Sequence, residues 1–97
     1  MTWNKTDNNQ KGIVDKLRKF EGVTVRSVSD IKKFCDIIVG YEGKNYLFEL
    51  KTDNKKKLTE GEKEFQENWK GQINTVISIV EILQIIGWQK KKQYLLK

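Results

Sequence analysis

The chain has 97 residues with 19 basic and 13 acidic side chains, a formal net charge of +6, one cysteine, no proline and no histidine. This inventory excludes a Ser/His/Asp triad, a histidine acid or base, a histidine-ligated zinc, an internal disulfide and a cysteine-rich metal cluster, and we expect a reducing, intracellular (cytoplasmic) setting. Any catalysis must come from carboxylates, lysines and a hard metal ion that they bind.

The first half of the chain predicts one helix, one strand and a hairpin. Residues 9–20 carry apolar side chains at helical spacing, and residues 23–28 alternate as a strand does. Residues 34–41 and 44–51 are rich in β-forming side chains and flank Glu42-Gly43, which indicates a β-hairpin. A polar, basic loop follows.

The second half of the chain predicts a helix that crosses over to a fourth strand. Thr59 and Glu62 have the spacing of a capping box, so we expect a helix that starts there, carries Phe65 and Trp69 as its inward stripe, and stops at Gly71. The crossover helix should lead into a further strand of the same sheet.

The end of the chain predicts a short strand over residues 74–79 and a last helix over residues 80–86, which Ser78 and Glu81 open as a second capping box. The expected fold is a single α/β domain of residues 1–97, with a core over 9–87, a mixed four-stranded sheet flanked by helices in the order αβββαβα, and a basic tail over 88–97. The apolar stretch near the end is interrupted by polar residues and is shorter than a bilayer span, so no membrane partner is expected.

A two-residue turn at Glu42-Gly43 would place two carboxylates opposite each other. Asp36 then faces Glu49 on the neighbouring strand, and Lys51 lies two residues further along the same face. Opposed like charges are destabilising, and a divalent cation removes the conflict, because Mg²⁺ takes one or two carboxylates plus water and phosphate oxygens. Two alternatives remain: Glu49 pairs with Lys51 while Asp36 caps the strand near solvent, or a three-residue loop with a bulge at Gly43 shifts the register by one.

Taken together, these segments resemble the PD-(D/E)XK nuclease superfamily. The residues that carry the resemblance are Phe34-Cys35-Asp36-Ile37-Ile38-Val39 and Leu47-Phe48-Glu49-Leu50-Lys51, followed by Leu58-Thr59, Phe65, Trp69 and Gly71. The later group makes the chain similar, more narrowly, to the small stand-alone VRR-NUC proteins of phages. The resemblance covers roughly residues 9–87 and implies a restriction-endonuclease-like domain that hydrolyses phosphodiester bonds in DNA.

The resemblance also implies residue roles. Asp36 and Glu49 would bind Mg²⁺ or Mn²⁺, with the backbone carbonyl of Leu50 as a further ligand, and Lys51 would orient or activate the attacking water. The products would carry 5′-phosphate and 3′-hydroxyl ends. Small relatives of this kind imply a symmetric homodimer that cuts branched DNA such as four-way (Holliday) junctions.

Two positions depart from the family pattern, and a third is uncertain in role. Cys35 stands where proline is usual before the first acid, and Glu62 stands where the next helix usually carries glutamine. Glu62 either completes the capping box or faces the metal as a third carboxylate, with Gln66 one helical turn on as an alternative contact. Asp15 on the first helix is a candidate extra acid or an ordinary solvated residue.

The positive charge indicates a polyanionic partner, because clustered lysines release counterions from phosphates. Candidate DNA contacts bracket the site in sequence, with solvated loops as the alternative: Arg26, Lys32, Lys33, Lys55, Lys56 and Lys57. Two other functions are open. One is a catalytically silent nuclease fold kept as a DNA-binding or protein-binding module. The other is a small basic RNA-binding domain, which no aromatic RNA-binding signature supports.

Overall fold

The computed structural model describes residues 5–52 and 58–90, with side chains from residue 10 onward. Its elements, in chain order, are α1 (Lys5–Leu17), β1 (Thr24–Ser27), β2 (Ile37–Tyr41), β3 (Lys44–Leu50), α2 (Glu60–Asn68), β4 (Asn74–Val76) and α3 (Ile79–Ile86). This confirms the predicted order αβββαβα.

The four strands form one mixed sheet in the order β1-β2-β3-β4. Strands β1, β2 and β3 are an antiparallel meander, whereas β4 lies parallel to β3. A parallel neighbour needs a crossover connection, and α2 supplies it. The predicted mixed four-stranded α/β architecture is therefore confirmed.

The hairpin between β2 and β3 has a two-residue turn. Tyr41 pairs with Lys44, and the two residues between them have positive φ, 54° at Glu42 and 79° at Gly43. Positive φ at both central positions defines a type I′ turn, whose twist matches that of the strands. The two-residue prediction is confirmed, and the alternative with a three-residue loop is wrong.

The core lies on one face of the sheet, beneath α1 and α3. Alternation along β2 and β3 sends every second side chain to that face. The buried apolar cluster consists of Ile13, Val14, Leu17, Val23, Val25, Ile37, Val39, Phe48, Leu50, Val76, Ile82 and Ile86. Helix α2 lies over the other face, where its Phe65 ring contacts that of Phe34 at a centroid distance of 5.4 Å. The residues with opposite alternation therefore lie beneath α2.

Both predicted capping boxes are present. Thr59 and Glu62 exchange side-chain and backbone hydrogen bonds at the start of α2, and Ser78 and Glu81 do so at the start of α3. Gly87 ends α3 in the left-handed conformation at φ 75°. Across residues 5–52 and 58–90, no helix combines the length and the apolar character that spanning a membrane requires.

Some element ends differ from the prediction. Helix α1 ends at Leu17 rather than at Phe20, and the residues that follow it form turns, with Phe20 N donating to Leu17 O at 3.0 Å. Trp88, assigned above to the tail, packs edge-on against the Phe20 ring at 5.0 Å and donates from Nε1 to Glu21 O at 2.8 Å. Trp69 caps the end of α2 and is 40 % exposed, so it is not part of an inward stripe.

Candidate active site

The predicted acid and lysine residues lie together on the sheet face that α2 covers. Asp36 directly precedes β2, Glu49 lies in β3 and Lys51 directly follows β3. Their neighbours Ile37 and Leu50 belong to the core on the opposite face. Strand alternation therefore directs the three polar side chains toward α2.

Asp36 and Glu49 lie one pair beyond the end of the β2–β3 ladder, in the register that pairs Ile37 with Phe48, and each carboxyl shifts the pKa of the other. Asp36 Oδ2 also accepts a hydrogen bond of 2.8 Å from the backbone N–H of Leu50, which fixes the carboxylate beside that peptide. Glu49 is only 2 % exposed and is the one charged residue of the described chain that is buried. The predicted opposition of the two acids is thus confirmed.

Glu62 completes the capping box, as one of its two predicted alternatives has it, and also pairs with Lys51. Its Oε1 accepts 2.8 Å from Thr59 N–H, as the capping box requires, and lies 2.6 Å from Lys51 Nζ. Its carboxyl also contacts that of Glu49. The alternative in which Lys51 pairs with Glu49 is wrong, because Lys51 pairs with Glu62 across to the helix.

The site brings three carboxyl groups, those of Asp36, Glu49 and Glu62, together with one ammonium group, that of Lys51. Burial, together with the neighbouring Glu62 and Asp36 carboxyls, raises the pKa of Glu49 to about 10. Burial also raises the pKa of Asp36, against the hydrogen bond from Leu50. Burial opposes the ionised form of Glu62 as well, but hydrogen bonds from Glu49, Lys51 and Thr59 prevail and lower its pKa to about 2. These shifts favour the protonated form of Glu49 beside an ionised Glu62.

The donor set fits a hard divalent cation. In residues 5–52 and 58–90, no three or more His, Cys, Asp and Glu side chains are grouped as metal ligands. Mg²⁺, however, takes one or two protein carboxylates and fills its remaining positions with water and phosphate oxygens. Asp36 and Glu49 supply that pair, and Glu62 is occupied by Lys51 and the helix cap. A cation between the two acids would replace the proton of Glu49.

Gln66 borders the site, but its amide has a partner within the protein. Gln66 Nε2 donates to Thr75 Oγ1 at 2.9 Å, and Thr75 is the β4 residue paired in register with Glu49. No local feature of the sequence points to Thr75, since the register of a strand reached through a crossover is not encoded locally. Thr75 and Gln66 form the β4 side of the site.

Asp15 is a solvated residue and lies apart from the other acids. Its side chain is 51 % exposed and its Oδ2 lies 2.9 Å from Lys11 Nζ, a hydrogen bond that lowers the pKa of the Asp15 carboxyl. Helix α1 packs through Leu17 on the core face. Asp15 is thus paired with Lys11 on the exposed surface of its own helix, as the alternative of an ordinary solvated residue predicts.

Of the six candidate DNA contacts, the three that the structure describes lie on or next to the sheet face that carries the site. Arg26 pairs in register with Ile38, which has the same alternation as Asp36, and Arg26 is exposed. Lys32 and Lys33 are exposed in the connection before Asp36, and Lys33 Nζ lies 3.3 Å from Glu64. The other three candidates, residues 55–57, lie outside the described residues.

Cys35, the residue before Asp36, does not enter the site. It is fully buried, its Sγ donates to Ile37 O at 3.5 Å, and burial raises the pKa of its thiol to about 11. A thiol with such a raised pKa is not a nucleophile at neutral pH. Cys35 is therefore a small packing residue at the entry to β2.

No protein-family model, curated protein or solved structure matches this chain. The chemistry of the site rests on its own groups: two neighbouring carboxyls, one of them buried, and an ammonium 2.6 Å from a third acid. Carboxylates of this kind hold hard cations, and an ammonium beside them stabilises negative charge on a phosphoryl oxygen. These are the parts that metal-assisted phosphodiester hydrolysis requires.

Proposed function

We propose that this chain is a Mg²⁺- or Mn²⁺-dependent DNA endonuclease with a restriction-endonuclease-like fold. The observation that supports the proposal is the position of the Asp36 carboxyl beside the buried Glu49, since its Oδ2 accepts from the backbone N–H of Leu50, the next residue, at 2.8 Å. Two neighbouring acids, one of them buried, are destabilising unless a proton or a cation lies between them. A module that only binds DNA or protein has no use for this arrangement.

The cation would be held by the carboxylates of Asp36 and Glu49, with the backbone carbonyl of Leu50 as a further ligand. When bound, it polarises the phosphoryl oxygen and lowers the pKa of the attacking water. Asp36 is set for this role because the Leu50 N–H fixes its Oδ2 at 2.8 Å. Glu49 is set by burial, which keeps bulk water from competing for its oxygens.

Lys51 supplies the positive charge that the transition state needs. Its side chain is 12 % exposed, so its ammonium is only weakly screened by solvent. The ammonium would steady the attacking water and the negative charge that develops on the phosphate. Glu62 is a positioning residue in this scheme, because it holds Lys51 from α2. Arg26 and Lys32 would contact phosphates on the flanking DNA.

We further propose that the enzyme acts as a symmetric homodimer on branched DNA. Two identical sites related by a two-fold axis suit a substrate with two equivalent strands, such as a four-way junction. A second copy of this small domain would add surface with which to recognise substrate shape. A monomer in sedimentation at micromolar concentration, with and without junction DNA, would overturn this part.

The endonuclease is tested by incubating the protein with linear duplex, single-stranded, flapped and four-way DNA. We expect cleavage with Mg²⁺ or Mn²⁺, none with EDTA, and loss of cleavage in Asp36→Asn and Lys51→Ala. Lys44→Ala is the matched control, an exposed lysine at the other end of the same strand. Binding of DNA without cleavage under either metal would instead support the silent binding module.

A further inference from the structure

The exposed indole of Trp69 is held in one position at the end of α2. Its Nε1 donates 3.2 Å to the backbone carbonyl of Gln72, although its side chain is 40 % exposed. A Cβ at position 71 would lie only 2.9 Å from that nitrogen, so the glycine there is what lets the indole fold back. The local sequence therefore orients a large aromatic surface that solvent can reach.

Two other rings support the indole from below. The Phe65 ring lies 5.1 Å from Trp69 at an interplanar angle of 36°, and the Phe34 ring lies 6.1 Å away at 71°. Phe65 is buried and Phe34 is half-buried, so this aromatic cluster is fixed to the sheet face that carries Asp36. The exposed part of Trp69 is thus preorganised by packing as well as by its hydrogen bond.

An open cleft of about 210 Å³ lies against the indole, with polar groups at its edge. Its lining is Lys33, Glu64, Phe65, Asn68 and Trp69. Lys33 Nζ and Glu64 lie 3.3 Å apart, and Asn68 Nδ2 donates to Glu64 O at 2.9 Å. An aromatic floor with both donors and acceptors at the rim suits a nucleobase. The Glu64 carboxylate disfavours a phosphate in the same place.

We propose that this cleft stacks an unpaired nucleobase of the DNA strand that is cut at the Asp36–Glu49 site; the proposal rests on the endonuclease function above. Trp69 directly follows α2, seven residues after Glu62, which corresponds to about 10 Å at 1.5 Å per helical residue. That is about three nucleotides of a stacked strand at 3.4 Å each, and fewer of an unstacked one. A base inside a duplex already has both faces covered, so only an unpaired base can occupy the cleft. The substrate class is therefore DNA with unpaired nucleotides beside the cut, as in flaps, single strands and open junctions.

Fluorescence tests the stacking separately from cleavage. In EDTA, a single-stranded oligothymidylate should quench the tryptophan emission of the wild-type protein and of Trp88→Phe. Trp69→Phe, which keeps an aromatic ring on Phe65, should lose that quenching. Trp69→Leu should bind the single strand at least about fivefold more weakly and bind a duplex of equal length unchanged. Undiminished quenching in Trp69→Phe, or unchanged single-strand affinity in Trp69→Leu, would overturn the proposal.

Cleavage assays distinguish failure of this proposal from failure of the endonuclease function. If Trp69→Leu cuts flapped and fully paired DNA in the same ratio as the wild type, the base cleft is wrong and the endonuclease stands. If the wild type cuts no DNA under either metal but Trp69 is still quenched by single strands, the endonuclease is wrong and the base cleft stands. If the wild type cuts DNA and Trp69→Leu shifts the cleavage ratio toward fully paired DNA, the result supports both the endonuclease function and the base cleft.

Discussion

Lys51 Nζ lies 2.6 Å from Oε1 of Glu62, and the same oxygen accepts the Thr59 N–H that caps α2. One carboxylate thus begins a helix and holds the only ammonium that the described residues bring into contact with the acid cluster. The side chains of Lys51 and Glu62 are 12 % and 22 % exposed, so solvent screens the pair little. Local helix formation and the geometry of the site are therefore coupled through one atom.

Because of this coupling, we expect Glu62→Gln and Glu62→Ala to differ in their effects on cleavage and stability. Glu62→Gln keeps an Oε1 that accepts from both Thr59 and Lys51, and we expect its cleavage rate to fall by no more than a few-fold. Glu62→Ala removes both bonds, and we expect a loss of at least about tenfold in kcat together with about 1 kcal/mol of stability, as for a lost cap. Single-turnover cleavage and urea unfolding measure the two effects.

Glu81→Ala is the control for that prediction. Glu81 closes the equivalent capping box of α3, where its Oε1 accepts from Ser78 N–H at 3.3 Å, but α3 lies on the core face. It should lose a similar amount of stability with cleavage unchanged. Equal losses of cleavage in Glu81→Ala and Glu62→Ala would mean that Glu62 acts only through stability.

Glu49 makes the stability of the metal-free protein depend on pH. Its pKa in the folded state, about 10, is above the ordinary value of 4.5. The folded state therefore holds a proton that the unfolded state releases, and stability is full below about pH 4.5 and falls as pH rises toward 10. The slope is at most about 1.4 kcal/mol per pH unit for one proton.

Glu49→Gln replaces the protonated acid with a neutral group of the same shape. In urea unfolding with EDTA between pH 6 and 9, the free energy of unfolding of this variant should increase relative to that of the wild type as the pH rises. The lowered pKa of Glu62 changes the free energy of unfolding only below about pH 4.5. Measurements between pH 6 and 9 therefore report on the groups whose pKa is raised. A constant difference between the two proteins would show that Glu49 is already ionised in the metal-free fold.

A divalent cation should displace that proton. We expect Mn²⁺ to stabilise the wild type by about 2.7 kcal/mol at a concentration one hundredfold above its Kd, and the Kd should fall as pH rises. Asp36→Asn should lose this stabilisation, because it removes one of the two carboxylates. Asp15→Asn, which changes an exposed carboxylate paired with Lys11 on α1, should keep it. Equal responses in the two variants would contradict a metal site at Asp36.

The parts of this fold that sequence predicts are those with local causes. The opposition of Asp36 and Glu49 follows from the turn at Glu42-Gly43, since a two-residue loop fixes the register of everything beyond it. The capping boxes are local for the same reason, because their partners lie three residues apart. The observed ladder and helix starts agree with both.

The remaining features depend on where one element lies relative to another. Glu62 reaches Lys51 only because α2 crosses the acid-bearing face, and spacing along the helix cannot distinguish that from a cap alone. Thr75 lies beside Glu49 only through the parallel register of β4. Trp69 has inward spacing by helical period, but α2 ends at Asn68, so its side chain leaves the helical stripe. Tertiary placement, rather than propensity, decides these three.

The hairpin turn offers a prediction on the backbone alone. Glu42 has φ 54°, a left-handed conformation that costs an ordinary residue roughly 1–2 kcal/mol and that asparagine tolerates better. Glu42→Asn should therefore raise the free energy of unfolding by about 0.5–1 kcal/mol, a gain of the kind that turn optimisation gives. Glu42→Gln removes the same charge without the tolerance for positive φ and should give no such gain. Because the turn is at the opposite end of the hairpin from Asp36, neither variant should change the cleavage rate. Equal stabilisation by both in urea unfolding would assign the effect to charge and not to the turn.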